Sequence, residues 1–213
     1  MDKDDIWAVV HRERAALAHD LESLTPDQWA APTACPGWDV HAVVAHLVDS
    51  ARATWWSFAR DMIAARFDFD RQNELGIHRE RHPDPSSTLA ALRSVTDRTS
   101  TPPAPLATRL VEAFVHGEDI RRAVGRTGDY PPEAVAAALT LQLRTSARMG
   151  GGRERAADLR LVATDTPLSH GTGPEVAGTA LALLLAVSGR PLDPAELTGP
   201  GAGSLPARGP ERR

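Results

Sequence analysis

The chain has 213 residues, of which 42% are apolar, and a formal charge of -4. That is enough apolar surface for a folded core, in one large domain or two small ones at about 150 residues each. The weak acidity and scattered arginines argue against nucleic acid or an anionic membrane as the main partner. No apolar run approaches the roughly 18 residues of a membrane span.

The acidic start, Met1-Asp2-Lys3-Asp4-Asp5, carries no apolar signal region and reads as cytoplasmic. Cys35 is the single cysteine, which excludes an internal disulfide and a cysteine zinc cluster and suits a reducing compartment. Lys3 is the one lysine among 24 basic residues, the bias of a GC-rich genome.

In chain order, residues 5–24 predict a first helix, with Ile6, Val9, Val10, Leu17 and Leu21 at helical spacing. Thr25-Pro26 stops it, and Pro32, Pro36 and Gly37 make a turn. A second helix is expected over residues 38–66, with Asp39 in its first turn. Residues 67–85 are polar and read as a long loop. Ser86 or Ser87 caps a third helix reaching about residue 99, which ends at Thr101-Pro102-Pro103. A fourth helix follows over 106–124, with Arg121 and Arg122 at its negative end and Gly125 as its cap. Four helices of this length suggest an antiparallel bundle.

Beyond this point the pattern changes. Pro131-Pro132-Glu133 opens a fifth helix that Gly150-Gly151-Gly152 closes. Residues 159–164 alternate as a strand does, and 169–176 suggest a second. Residues 177–188 form an apolar helix before Gly189. The expected organisation is a bundle over 1–127, a small α/β module over 128–198 and a flexible tail over 199–213.

The chemistry concentrates on the fourth helix. Glu112 and His116 are four residues apart and therefore share a face, within reach of one ion. The alternative is an ordinary surface pair, which would be preferred without a third ligand. His46 is the candidate third ligand. It sits mid-helix among small neighbours (Ala42, Val43, Ser50, Ala53), either as a hydrogen-bonded core histidine or as a ligand aimed inward from a second helix. Two histidines and a carboxylate leave coordination positions open, as in a catalytic site.

The stretches Leu24-Thr25-Pro26-Asp27-Gln28-Trp29, Cys35-Pro36-Gly37-Trp38-Asp39-Val40-His41 through His46-Leu47, and Glu112-Ala113-Phe114-Val115-His116-Gly117-Glu118-Asp119 resemble the mycothiol-dependent maleylpyruvate isomerase family. This family belongs to the DinB-like bundles. His170-Gly171-Thr172-Gly173-Pro174 with Gly189-Arg190 resembles the small C-terminal module of its actinobacterial members. The resemblance runs over nearly the whole chain. It implies a mainly α fold, a DinB-like four-helix bundle with a small α/β C-terminal module. It also implies a divalent metal, zinc by preference, on His46, Glu112 and His116, with mycothiol as cofactor. The implied activity is a transferase or isomerase acting on a small electrophile, with the metal holding the thiol as thiolate. Two alternatives stay open: a metal-dependent hydrolase of the same fold, and a non-catalytic metal- or ligand-binding protein. The implied partners are the thiol and the electrophile, with the chain as monomer or homodimer.

Other residues carry weaker signals. Arg109, three before Glu112, is a candidate for binding the cofactor or a carboxylate, and equally for a surface ion pair. Asp119, three after His116, either orients a ligand histidine or pairs at the surface. Trp55 and Trp56 suit a substrate wall or the core, and Trp29 and Trp38 suit packing at the turn. Asn73 suits a loop contact. Cys35 stands near a helix start, as a reactive thiol would, and reads better as a buried small residue of a structural turn. His11, His19, His41, His78, His82 and His170 have no partner at ligand spacing.

Overall fold

The computed structural model describes residues 1–205. The chain divides into two compact units, Asp2–Gly128 and Asp129–Arg213.

The first unit is helical. Helix α1 (Lys3–Asp20) starts at Asp2, whose carboxylate accepts from the Asp5 amide in a capping box. The short α2 (Pro26–Trp29) is capped by Thr25, again reciprocally with Gln28. Asp39 accepts from the Ala42 amide and opens α3 (Val40–Arg52). Then come α4 (Trp55–Ala64), α5 (Phe69–Glu80), α6 (Pro85–Ser94) and α7 (Thr108–Ala123). Helices α1 and α3 each pack against both α6 and α7. These four helices make the bundle, with the successive long helices α1 and α3 at opposite corners. Val40, Val43, Val44, Leu47 and Val48 of α3 meet Leu17, Leu21, Leu89, Leu92 and Ile120 in the core.

Two expectations are corrected here. The helix expected over 38–66 is two helices. Ala53 and Thr54 are extended, and Thr54 exchanges capping hydrogen bonds with Ser57, which restarts the chain as α4. The polar stretch expected as a loop over 67–85 contains α5, capped by Asp68. Helix α5 is mostly polar; it is held on α3 by Ile77, which packs with Ala42 and Ala45, and by charge. Arg79 pairs with Asp49 and, at 3.1 Å, with Asp61, and Arg52 pairs with Glu80 at 2.5 Å. Gly76 packs so close to Asp49 that a Cβ there would collide with its carboxylate.

In the second unit, α8 (Pro132–Arg144) packs on α9 (Ala180–Val187). Helix α9 covers a three-stranded sheet of order β2-β1-β3, formed by Arg160–Ala163 (β1), Ser169–His170 (β2) and Glu175–Gly178 (β3). Strand β1 is antiparallel to β2 and parallel to β3, with Leu161 opposite Val176. The single second strand expected over 169–176 is therefore two strands, separated by the Gly171 and Gly173 turn with positive φ. Of the stretch expected as a loose tail, residues 199–205 pack back. The Gly201 amide donates to the Glu175 carbonyl at 2.8 Å, and Leu205 is buried. Residues 206–213 lie outside the described residues. No described helix is long and apolar enough to cross a membrane.

Candidate metal centre

The site lies where α3 faces α7. The His46 and His116 rings meet edge to face, with centroids 5.0 Å apart. One turn further along α3, the Ser50 hydroxyl donates to Glu112, one turn back along α7. Those two rungs require α3 and α7 to run antiparallel. They also bring His46, Glu112 and His116 into one locus. The histidine from the second helix thus lies against one member of the pair at spacing four, while the three residues whose donor atoms gather within 4.8 Å are Cys35, His116 and Asp119.

Each side chain is held in place. Arg109 is buried and donates through Nη1 to Ser50 Oγ at 2.7 Å and to Glu112 Oε1 at 3.3 Å. Burial pushes the Glu112 carboxyl up, but the charge of Arg109, with smaller contributions from His46, Ser50 and Arg14, wins and holds it below the usual carboxylate range. His46 is pulled the other way. Burial first, then the neighbouring His116 and Arg109, drive its imidazolium pKa down to about 3 against the attraction of Glu112. His46 is therefore neutral at neutral pH, the form that ligates metals. Its Nδ1 is sealed from solvent and has no hydrogen-bond partner, an expensive state for a polar atom in the absence of a ligand.

His116 has the opposite arrangement at Nδ1, which lies 3.0 Å from Asp119 Oδ2. The carboxylate accepts, so Nδ1 is the donor, and in the neutral ring this leaves the lone pair on Nε2. The same Asp119 oxygen accepts from the Cys35 thiol at 3.1 Å, and the thiol sulfur is 3.6 Å from His116 Nδ1. Donor atoms of Cys35, His116 and Asp119 thus cluster within 4.8 Å. Their protons are already committed to one another, so this trio reads as a hydrogen-bonded chain behind the site. The set left to face an ion is one unpartnered imidazole, one imidazole presenting Nε2 and one ionised carboxylate. That donor chemistry fits a borderline divalent cation such as zinc.

Trp38 leans over both histidine rings, at 5.1 Å from His46 and 6.4 Å from His116. The turn that carries it is braced by Thr33, whose hydroxyl donates to the Trp38 carbonyl at 2.9 Å and accepts from the Cys35 amide at 3.2 Å. The sequence placed Trp38 only at the turn, and the structure makes it a wall of the site. Trp29 does pack there, buried and edge-on to His41 at 5.5 Å.

The other candidates fall elsewhere. Trp55 and Trp56 contact each other at 4.7 Å but are 51% and 78% exposed, so they are not core. Asn73 lies on α5, not in a loop. His41 is buried and bonded to Thr88 at 2.8 Å, and His11 stacks on Trp7 at 5.7 Å. Arg109, a candidate for the cofactor, is turned inward on Ser50 and Glu112. Sequence reasoning missed the hydrogen bonds of Ser50 and Cys35. Ser50 was visible only as a small residue one turn from His46, and Cys35 only as a buried residue of the turn.

Residues 10–104 match the family described as mycothiol maleylpyruvate isomerase N-terminal domain. The match includes Cys35, Trp38, His46 and Ser50 and ends before Arg109. No curated protein matches the chain. Among solved structures, the chain is similar to the crystal structure of a mycothiol-dependent maleylpyruvate isomerase. The two share 15% identity over 95% of this chain and 94% of that one, with a TM-score of 0.65. A histidine-to-alanine mutant of a mycothiol-dependent maleylpyruvate isomerase matches at 14% identity with the same coverage and TM-score. At such identity the likeness establishes the fold. Residues 10–104 are thus similar to the mycothiol maleylpyruvate isomerase N-terminal domain, and nearly the whole chain adopts the fold of the isomerase structure it resembles.

Proposed function

We propose that the chain is a mycothiol-dependent isomerase or transferase of a small electrophile, working in the reducing cytoplasm with a divalent metal held by His46, Glu112 and His116. One observation carries this reading. His46 Nδ1 is buried and unpartnered beside a second imidazole and an ionised carboxylate, on two helices that face each other. The names of the matched domain and of the similar structures support the thiol and the reaction class.

A bound metal with open coordination positions supplies Lewis acidity, lowering the pKa of a coordinated thiol so that the thiolate is the nucleophile. The chain's own residues do the rest. Asp119 holds the proton on His116 Nδ1 and so keeps Nε2 available. Ser50 and Arg109 fix the rotamer of Glu112 and keep it ionised. In this reading Arg109 acts on Glu112, and through it on the cofactor. Trp38 covers the two imidazoles and excludes water from one side, which strengthens every charge interaction beneath it. The protein supplies no nucleophile of its own, consistent with a single cysteine already hydrogen-bonded to Asp119.

Elemental analysis of wild type beside His46→Ala and His116→Ala tests the site, followed by turnover of maleylpyruvate with and without mycothiol. The expected result is about one divalent ion per chain, lost in both folded variants, and turnover that needs the thiol. Turnover of an ester or amide without any thiol would instead support a hydrolase that activates water. A wild type that cannot be loaded with metal would overturn the reading.

A further inference from the structure

We propose that Cys35 is a positioning residue for the metal centre, acting on His116 through Asp119. The inference rests on the reading of His116 as a ligand. It goes beyond that reading by assigning work to a thiol that lies outside the ligand set.

The geometry is a three-membered chain inside the first unit. Asp119 is 3% exposed and Cys35 7%. One carboxylate oxygen, Oδ2, accepts from both the Cys35 thiol at 3.1 Å and His116 Nδ1 at 3.0 Å. A carboxylate can rotate about its Cβ–Cγ bond and offer either oxygen. A second donor converging on the same oxygen fixes which one faces the histidine. The thiol is a weak donor, but it points at a charged acceptor in a low-dielectric pocket, where a hydrogen bond gains strength.

The thiol is itself anchored. The Cys35 amide donates to Thr33 Oγ1 at 3.2 Å, and the Cys35 carbonyl accepts from the Trp38 amide at 3.1 Å. The turn before α3 therefore bears on the site twice, through Trp38 on the imidazole rings and through Cys35 on Asp119. Because α7 carries Glu112, His116 and Asp119 while the turn leads into the helix of His46, the Cys35–Asp119 contact registers the two ligand-bearing segments against each other.

This role differs from simple core filling, because a residue that acts through Asp119 has no effect once Asp119 cannot respond. The test is a double-mutant cycle in the full chain with Cys35→Ala, Asp119→Asn and the double variant, and with Cys35→Ser as the conservative control. Two properties are read. The first is zinc affinity, by competition with a chromophoric chelator. The second is the His116 tautomer in metal-free protein, by long-range proton–nitrogen NMR correlation.

Asp119→Asn is expected to weaken zinc binding by about 10- to 100-fold. Cys35→Ala is expected to weaken it several-fold and to mix the His116 tautomers. Cys35→Ser should restore both properties, and Cys35→Ala should add nothing in the Asp119→Asn background. Additive losses, or a Cys35→Ala variant with wild-type affinity and a single tautomer, would overturn the proposal. If Cys35→Ala fails to fold, the decision passes to Cys35→Ser, whose oxygen keeps the donor. A Cys35→Ser variant that binds zinc no better than Asp119→Asn and shows mixed tautomers would then overturn it. If wild type binds no zinc, the metal reading fails, while the tautomer measurement still judges the chain from Cys35 to His116.

Discussion

The two units bury different kinds of groups. In the second unit, the described buried residues are nearly all aliphatic, from Val135 and Leu139 on α8 to Leu183, Leu184 and Leu185 on α9. Gln142 and Ser188 are its buried polar side chains, and they bond each other at 3.0 Å. The first unit buries Glu13, Arg14, His41, Asp49, Glu80, Arg109, Glu118, Asp119 and Arg121. A core needs no charge in order to be stable, and a buried ion pair is rarely more stabilising than a well-packed apolar one. Some of these charges tie helices together, as Asp49 and Glu80 do between α3 and α5, while Arg109 and Asp119 bond directly to Glu112 and His116.

That contrast can be broken in order of expected effect. Glu118→Ala removes a fully buried carboxylate that accepts from Arg122 Nε at 2.8 Å and from the Gly128 amide at 2.9 Å. We expect chemical denaturation to show a loss of about 3–5 kcal/mol, because the orphaned partners stay where they are. In the apolar unit, Leu184→Ala should cost about 3 kcal/mol by leaving a cavity, and should leave metal content unchanged. Loss of the metal in that variant would show that the centre depends on the second unit's packing. Trp56→Ser sharpens the contrast from the outside. The side chain is 78% exposed, so its removal should move stability by no more than about 0.5 kcal/mol. A larger loss, seen in the same denaturation experiment, would mean that Trp56 is covered in solution.

The legibility of the chain follows the same division. The bundle helices α1, α3, α6 and α7 were readable from apolar residues at helical spacing, although the cap of α6 is Asp84 and not the expected Ser86 or Ser87. Helix α5 was unreadable for the complementary reason. What holds it, Ile77 against Ala42 and Ala45 together with Arg79 on Asp49 and Asp61 and Arg52 on Glu80, are contacts between residues at least 18 positions apart in sequence. The break between α3 and α4 was missed because one capping exchange between Thr54 and Ser57 outweighs a continuous helical pattern. In the second unit, a two-residue strand such as β2 offers too few positions for alternation to register.

At the site, sequence alone determined that Glu112 and His116 share a helical face, because spacing on one helix is local geometry. It nominated His46 by its position among small neighbours and by family resemblance. Tertiary structure decided everything that depends on two segments meeting. It set Ser50 against Glu112, turned Arg109 inward, laid Trp38 over the imidazoles and aimed the Cys35 thiol at Asp119. Periodicity records which residues lie on one face of one helix. Which groups on another helix they meet depends on how the bundle packs, and no local pattern encodes that.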